Sequence, residues 1–186
     1  MSSRIPLLPE DALPDLVELG KYLKGVPDSM RAYAYRPEVM KVFVQLELEL
    51  MTRGLVPTVT KVKVAYLTGR LNGGVYTASH TGGRLMRDFG VTRDELVRML
   101  NGDPPSDDPA LNALVRYVRL AAVNRSTDES FAKLNEFYTP AEIVELTLVI
   151  GLYSWTSRVH DALGLQVEER FEKLGGHLIP FNPPKS

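Results

Sequence analysis

The chain has 186 residues, no cysteine and three histidines, and its 22 lysines and arginines nearly balance its 23 aspartates and glutamates. This length is sufficient for one domain with a substantial core. The missing cysteines exclude disulfides, thiolate ligands and thiol nucleophiles. The small net charge argues against a protein that binds nucleic acid or an anionic membrane.

The N-terminus lacks the pattern of a signal peptide, and no apolar run reaches the length of about 18 residues that a membrane span needs. We therefore expect a cytoplasmic protein without a membrane segment. Three histidines and no cysteine also make a metal site improbable by composition.

Prolines in the first 36 residues predict an extended arm that leads into a short amphipathic segment ending near Gly25. Proline, glycine and cap residues then delimit helices at about 37–54, 58–73, 75–90, 92–101, 109–123, 128–138 and 140–163. No strand alternation competes with these helical periods. The prediction is an all-α protein of one domain, 1–186, with an arm (1–36), a core (37–169) and an irregular tail (170–186).

Two helix starts have the pattern of a capping box, Thr92 with Glu95 and Thr139 with Glu142. The helix after the second is the most apolar of the chain, and Glu145 is its only charge between residues 143 and 155. Such a helix is predicted to be enclosed on nearly all sides and to be the most buried element. A buried Glu145 needs a cationic partner, for which we favour an arginine (Arg70 or Arg84) over a catalytic role.

The segment LNGGVYTASHTGG, residues 71–83, contains more groups able to do chemistry than any other stretch. In a helix beginning near residue 75, Tyr76 and His80 share a face, and Thr77 and His80 can also approach each other. Histidine is the most usual general acid or base at neutral pH. The alternative is structural, because the small residues of this helix, including Ser79, favour close packing with His80 hydrogen-bonded inside.

Four further side chains in the last long helix are weaker candidates. Arg158 and His160 are two residues apart and so point in different directions. Arg158 pairs with Asp161 on a solvated face or meets a ligand carboxylate. Tyr153 and Trp155 line an apolar pocket or belong to the core.

Two blocks, VKVAYLTGRLNGGVYTASHTGG and AEIVELTLVIGLYSWTSRVHDALG, resemble the carboxymuconolactone decarboxylase and alkyl hydroperoxidase D-like superfamily in their order and separation. The resemblance covers about residues 37–169. Members typically contain Asn-Gly-Cys-x-Tyr-Cys followed by a histidine, and Asn72 to His80 lies over that pattern. The resemblance implies an alkyl hydroperoxidase D-like helical bundle that assembles as a trimer, hexamer or dimer.

The chain departs from the family pattern at the chemically decisive positions. Gly74 and Thr77 stand where peroxidase-type relatives have cysteines, and Val62 stands where many have a glutamate. A threonine hydroxyl is neither readily ionised nor oxidised as a thiol is. We therefore expect no thiol peroxidase activity. The pattern matches the branch without cysteines, whose members decarboxylate or isomerise a small lactone acid with a histidine in this stretch.

Two functions remain open from the sequence. The first is an enzyme without metal or cofactor that applies acid–base chemistry to a small acidic or apolar metabolite. Its catalytic residues would be His80, Tyr76 and Thr77, and its substrate-binding residues Asn72, Ser79, Arg70, Arg158, Tyr153 and Trp155. The second is a non-catalytic binding or scaffold protein with the same fold. For either we expect a homo-oligomer in which the tail lies over a neighbouring subunit, with no nucleic-acid or membrane partner.

Overall fold

The computed structural model describes residues 3–12 and 26–180, and within these ranges the chain forms helices and no strand. The helices are α1 (Asp28–Tyr33), α2 (Pro37–Thr52), α3 (Thr58–Leu71), α4 (Val75–Phe89), α5 (Arg93–Asn101), α6 (Pro109–Ala121), α7 (Asp128–Asn135), α8 (Pro140–Leu163) and α9 (Glu169–Glu172). Short 3₁₀ turns cover Glu10–Ala12 and Gly176–Leu178. The all-α prediction is confirmed, whereas the predicted amphipathic segment before Gly25 lies outside the described residues.

The helix ends follow local chemistry. At the start of α8, Thr139 and Glu142 form the predicted capping box, in which each side chain accepts a hydrogen bond from the backbone of the other residue. At α5 only half of the predicted box forms. Thr92 accepts the Glu95 N–H, but the Glu95 carboxylate pairs with Lys63 at 2.6 Å instead of returning to the cap.

The centre of the core is α3, which packs against α4, α6 and α8. Eight of its 14 residues are buried, and Ala65, Tyr66 and Leu67 are fully enclosed. The prediction that α8 is the most buried element is wrong for this chain, because only ten of its 24 residues are buried. The helix is apolar on nearly every face, yet one face is left exposed by the part of the chain that the structure describes.

That uncovered face of α8 and the neighbouring face of α2 form an apolar groove of about 650 Å³, called here the α2/α8 groove. Its walls include side chains with large exposed fractions: Val39 at 51%, Val42 at 65%, Leu46 at 45%, Leu148 at 51% and Trp155 at 43%. Isolated exposed apolar residues are common, whereas a contiguous set of this kind indicates a contact surface.

Glu145 has a different partner from the arginines proposed from the sequence. Its carboxylate lies 3.1 Å from Nζ of Lys61, which is only 1% exposed. It also accepts the backbone N–H groups of Leu55 and Val56 at 2.6 and 3.1 Å. A lysine on α3 can reach Glu145 from within the core, so Glu145 joins the α2–α3 connection to α8 and takes no part in the cavity described below.

The described part of the C-terminal tail packs against α3 and α4 of the same chain. Gly176 approaches Gly82 of α4 so closely that a Cβ on Gly176 would lie 2.9 Å from the Gly82 Cα. Arg70 binds the carbonyls of Gly176 and Ile179 at 3.2 and 2.6 Å, and Ile179 is buried. Residues 181–186 lie outside the described part of the chain.

No helix in the described ranges combines the length and apolar character that crossing a bilayer requires.

Candidate active site

A cavity of about 300 Å³ opens beside α4 and is the place where the polar residues of the sequence motif converge. The outward-facing turns of α4 form its floor, α2 and α8 form two walls, and α9 lies at the edge. Its lining includes Phe43 and Glu47 from α2, Val62 from α3, Tyr76, Thr77, His80, Thr81 and Arg84 from α4, Tyr153, Thr156 and His160 from α8, and Phe171 from α9.

The start of α4 is fixed by two glycines after α3. Gly73 has φ of 70°, a left-handed conformation that glycine adopts without strain. Gly74 lies against α8, where an added Cβ would be 2.5 Å from Oγ and 2.6 Å from Cβ of Ser157. Residue 74, one of the two positions where the family pattern has cysteine, therefore has no room for a side chain unless Ser157 moves.

Glu168 is the organising residue at the first turns of α4. Its Oε2 lies 2.5 Å from His80 Nε2, and its Oε1 accepts the hydroxyl of Tyr76 at 2.9 Å. The backbone N–H of Asp28, in the first turn of α1, donates to the same Oε1 at 3.0 Å. The Tyr76 oxygen in turn accepts the N–H of Ser29 at 3.1 Å. Thus Tyr76 and His80 are held by a shared carboxylate.

The electrostatics of this group favour an ionised Glu168. Burial raises the pKa of Glu168, but the hydrogen bond and charge of His80 and the Asp28 N–H outweigh burial and bring the pKa to about 2. Burial and the nearby Glu168 charge raise the pKa of Tyr76 well above its usual value. Tyr76 is therefore a neutral donor and Glu168 an acceptor throughout the neutral range.

The ionised carboxylate also settles the proton position on His80. A carboxylate can only accept, so the His80 nitrogen facing it, Nε2, carries a proton. In the neutral ring, Nδ1 is then the basic nitrogen, and it has no hydrogen-bond partner among the described residues. The ring is fixed by Tyr76 and Phe171, whose ring centroids lie 4.3 and 3.9 Å away. A histidine oriented by a carboxylate is the arrangement that general-base catalysis requires.

The Thr77 hydroxyl contacts a second histidine, His160. Its Oγ1 lies 3.1 Å from Nδ1 of His160, whereas the sequence suggested an approach to His80. Burial, and then the positive charge of His80, lower the pKa of His160 to about 3. His160 is therefore neutral at physiological pH, and its Nδ1 shares a hydrogen bond with the Thr77 hydroxyl.

The far end of the cavity holds a third polar group. The Tyr153 hydroxyl donates to Glu47 Oε1 at 3.3 Å. Glu47 is largely surrounded by protein, and this burial raises its pKa. The hydrogen bond from Tyr153 and the charge of Arg84 lower the pKa but do not outweigh burial. The cavity thus has a carboxylate–histidine pair at one end and a hydrogen-bonded Tyr153–Glu47 pair, within the electrostatic influence of Arg84, at the other.

Of the nine catalytic and substrate-binding residues assigned from the sequence, four line the cavity together, Tyr76, Thr77, His80 and Tyr153, and so does the weaker candidate His160. The other five do not. Asn72 caps the end of α3 through the Thr68 carbonyl, Ser79 is fully buried, and Arg70 holds the C-terminal segment. Arg158 is exposed and, within the described chain, forms no ion pair with Asp161, while Trp155 lies in the α2/α8 groove.

The sequence analysis missed several residues of the cavity. Arg84 had a detectable signal, since it follows Tyr76 and His80 at intervals of four on one helical face. Glu47 lies in a helix whose amphipathic pattern does not distinguish a cavity wall from a surface. Glu168 had no local signal at all, because its pairing with His80 joins residues 88 positions apart.

Within residues 3–12 and 26–180, no cluster of three or more histidine, aspartate or glutamate side chains is arranged to hold a metal ion.

Solved structures with the same architecture exist at low sequence identity. A cysteine-to-alanine variant of the debrominase Bmp8, in complex with 2,3,4-tribromopyrrole, matches with a TM-score of 0.81 and 17% identity, over 94% of this chain and 96% of that one. An uncharacterized peroxidase-related protein from Ralstonia eutropha JMP134, described as an alkylhydroperoxidase AhpD core, matches at 0.77 and 17% over 92% and 95%. The chain has the alkyl hydroperoxidase D-like fold.

The predicted fold is thereby confirmed. A further peroxidase-related protein of this fold, from Silicibacter sp. TM1040, matches with a TM-score of 0.71 and 16% identity over 90% of both chains. No family model and no curated protein matches the sequence. At these identities the likeness establishes the alkyl hydroperoxidase D-like fold, and the chemistry has to be argued from the residues of the cavity.

Proposed function

We propose that the protein is a general acid–base enzyme that decarboxylates, isomerises or otherwise cleaves a small acidic or apolar metabolite. The observation that carries the proposal is the 2.5 Å contact between Glu168 and His80 at the wall of an enclosed cavity. His80 Nδ1 removes a proton beside a carbonyl or returns one to a carbanion, and the Glu168 carboxylate stabilises the imidazolium that forms.

The proposal assigns different roles to the two hydroxyl-bearing residues. Tyr76 fixes Glu168 and packs on the His80 ring, so it is a positioning residue. Thr77 reaches the cavity and has its hydroxyl oriented by neutral His160, so it can face a substrate oxygen. No thiol is available for a redox step, because the chain has no cysteine.

The debrominase Bmp8 has been crystallised with a small flat heterocycle. That finding supports a cavity in this fold that accepts a compact ring, and the aromatic wall formed by Phe43, Tyr76 and Phe171 suits one. Exchange of bromine for hydrogen on such a ring consumes two electrons. We therefore propose that the ligand of this chain is similar in size and shape to that heterocycle, and that the reaction is proton transfer.

The test is a screen of small carboxylic and lactone acids with the wild type and the variants His80→Gln and Glu168→Gln. Loss of the general base is expected to lower turnover by about 10² to 10⁴, with an unchanged melting curve and oligomeric state. His177→Gln, in the C-terminal segment, is the matched control and should retain activity. Unchanged turnover in His80→Gln would favour the binding or scaffold function. The same conclusion would follow if the variant lost activity only to the extent that it lost its folded structure.

We also propose that the α2/α8 groove binds a second copy of this chain. The groove is continuous, apolar and open, and α8 is otherwise too hydrophobic to face water. Sedimentation velocity at micromolar concentration should show an oligomer, and Leu148→Glu should convert it to monomer while the helical signal is retained. A monomeric wild type would contradict this assembly.

A further inference from the structure

Three arginines reach the cavity, and their surroundings differ. Arg87 is engaged by Asp88, with two contacts of 2.7 and 2.8 Å. Arg170 lies over the ring of Phe171 at the edge of the cavity, 4.9 Å from the ring centroid. Arg84 lies further along the floor, on the face of α4 that carries His80.

Arg84 has no acceptor for its guanidinium among the described residues. Its contact is with the ring of Phe89, 5.6 Å from the centroid. Its charge acts on Glu47 and Tyr153 through space, without a hydrogen bond or an ion pair to either. A guanidinium that is partly removed from water and lacks an acceptor favours an anion that supplies one, and a carboxylate matches its two-pronged geometry.

The position of Arg84 also fits the proposed reaction. Four residues of helix separate Arg84 from His80, which is an axial rise of about 6 Å. Both residues line a cavity of about 300 Å³, which is at the small end of the range for ligand pockets and so suits a compact molecule. Between the two residues the walls are aromatic and aliphatic, with Phe43, Val62 and Phe171 facing the space.

We propose that Arg84 is the specificity-determining residue of the cavity and binds the carboxylate of a small organic anion whose apolar body extends toward His80. The ligand class is therefore a compact carboxylate with a flat or branched hydrocarbon part. The inference rests on the proposed function and narrows it. A carboxylate held by Arg84 is kept away from His80, so the reaction at His80 is an isomerisation or lyase step in which that carboxylate is retained.

Glu47 is a carboxyl group that can compete with a ligand for the charge of Arg84. Its carboxyl receives the Tyr153 hydroxyl and lies within the electrostatic reach of Arg84 and Tyr33. An ionised Glu47 competes with the ligand for the Arg84 charge, and a neutral Glu47 does not. Glu47→Gln is therefore expected to bind the anion more tightly than the wild type.

The experiment measures binding, so that it is independent of turnover. Benzoate, hexanoate and the neutral amide benzamide are titrated into the full chain by isothermal calorimetry. Benzoate or hexanoate should bind the wild type with a dissociation constant below about 10 mM, and Arg84→Gln should weaken that binding by at least about tenfold. Benzamide should bind wild type and variant alike. The surface variant Arg98→Gln has the same change of charge and should behave as wild type.

Two results would overturn the inference. One is the absence of binding by both anions, and the other is an Arg84→Gln variant, folded by its melting curve, that binds benzoate within about twofold of the wild type. Equal losses for benzoate and benzamide would also contradict it, since they would show damage to the cavity in place of charge recognition. His80→Gln should retain benzoate binding, so a failure of the acid–base reaction with anion binding intact would refute the proposed function alone.

Discussion

His160 makes the protein sensitive to mild acid, and the size of the effect follows from its burial. In an unfolded chain the histidine has its usual pKa of 6.5, whereas burial and then the charge of His80 lower the native pKa to about 3. Between these values the unfolded state binds a proton that the native state does not. Stability is therefore complete above about pH 6.5 and falls as the pH decreases toward 3.

The loss is about 1.4 kcal/mol for each pH unit below 6.5, so it reaches about 2 kcal/mol at pH 5 and approaches about 5 kcal/mol near pH 3. Glu168 does not add to the loss at pH 5. Its pKa of about 2 is below the usual glutamate value of 4.5, so the stability it contributes is lost only as the pH falls from about 4.5 toward 2. His177, with a lowered pKa, and Glu47, with a raised pKa, also affect the pH dependence, so the contribution of His160 is obtained by comparing the wild type with a His160 variant at pH 7.5 and pH 5.

The assay is urea unfolding of the wild type and His160→Asn at both pH values. Asparagine keeps a polar atom near the Nδ1 position, opposite Thr77, but does not titrate. At pH 7.5 the variant should be less stable by about 1 to 3 kcal/mol, because it packs less well. At pH 5 the difference should shrink by about 2 kcal/mol.

His177→Asn is the control for this experiment, because His177 lies in the C-terminal segment outside the cavity and should leave most of the acid sensitivity in place. A stability difference between wild type and His160→Asn that is the same at both pH values, within about 0.5 kcal/mol, would refute the reasoning. It would show that His160 is protonated in the native protein.

Three further outcomes are expected. Glu145→Gln should lower the free energy of unfolding by about 3 to 5 kcal/mol, because it leaves the Lys61 charge buried without compensation; a loss below about 1 kcal/mol in urea titration would contradict the pairing. Gly74→Ala should cost about 1 to 3 kcal/mol through its contact with Ser157, and the double variant with Ser157→Gly should recover part of it. Peroxide consumption coupled to thiol reductants should be absent, and turnover comparable with cysteine-bearing relatives in metal-free protein would reverse that expectation.

The helices could be predicted from the sequence because the residues that start and end them act locally. The capping pair Thr139 and Glu142, the prolines that follow the caps of α6 and α8, and the glycines that end α4, α5 and α8 act within one turn. Each helix from α2 to α8 was therefore predicted to within a few residues. The short α9 was missed, because a single turn has no periodicity to detect. The partner of Glu145 was missed because lysine is seldom buried, and composition gave no reason to expect Lys61 in the core.

Only part of the candidate site could be predicted from the sequence. His80, Tyr76 and Thr77 lie in one helix, so their common face follows from spacing. What those side chains contact does not follow, because the contacts come from elsewhere in the chain. The Thr77 hydroxyl meets His160 and the His80 imidazole meets Glu168, at separations of 83 and 88 residues.

The same geometry explains why the chemistry of this cavity is tied to the way α8 ends. Gly164 stops the helix with a φ of 64°, and the chain then turns back toward α4, so that Glu168 arrives beside His80. Arg4 binds the last carbonyls of the helix, at Asp161 and Ala162, from the opposite end of the chain. In the proposed reaction, α4 provides the base, His80, whereas the carboxylate that orients it comes from the segment that follows α8. Proton transfer at His80 therefore depends on a carboxylate that is 88 residues away in the sequence and that the end of α8 places within hydrogen-bonding distance.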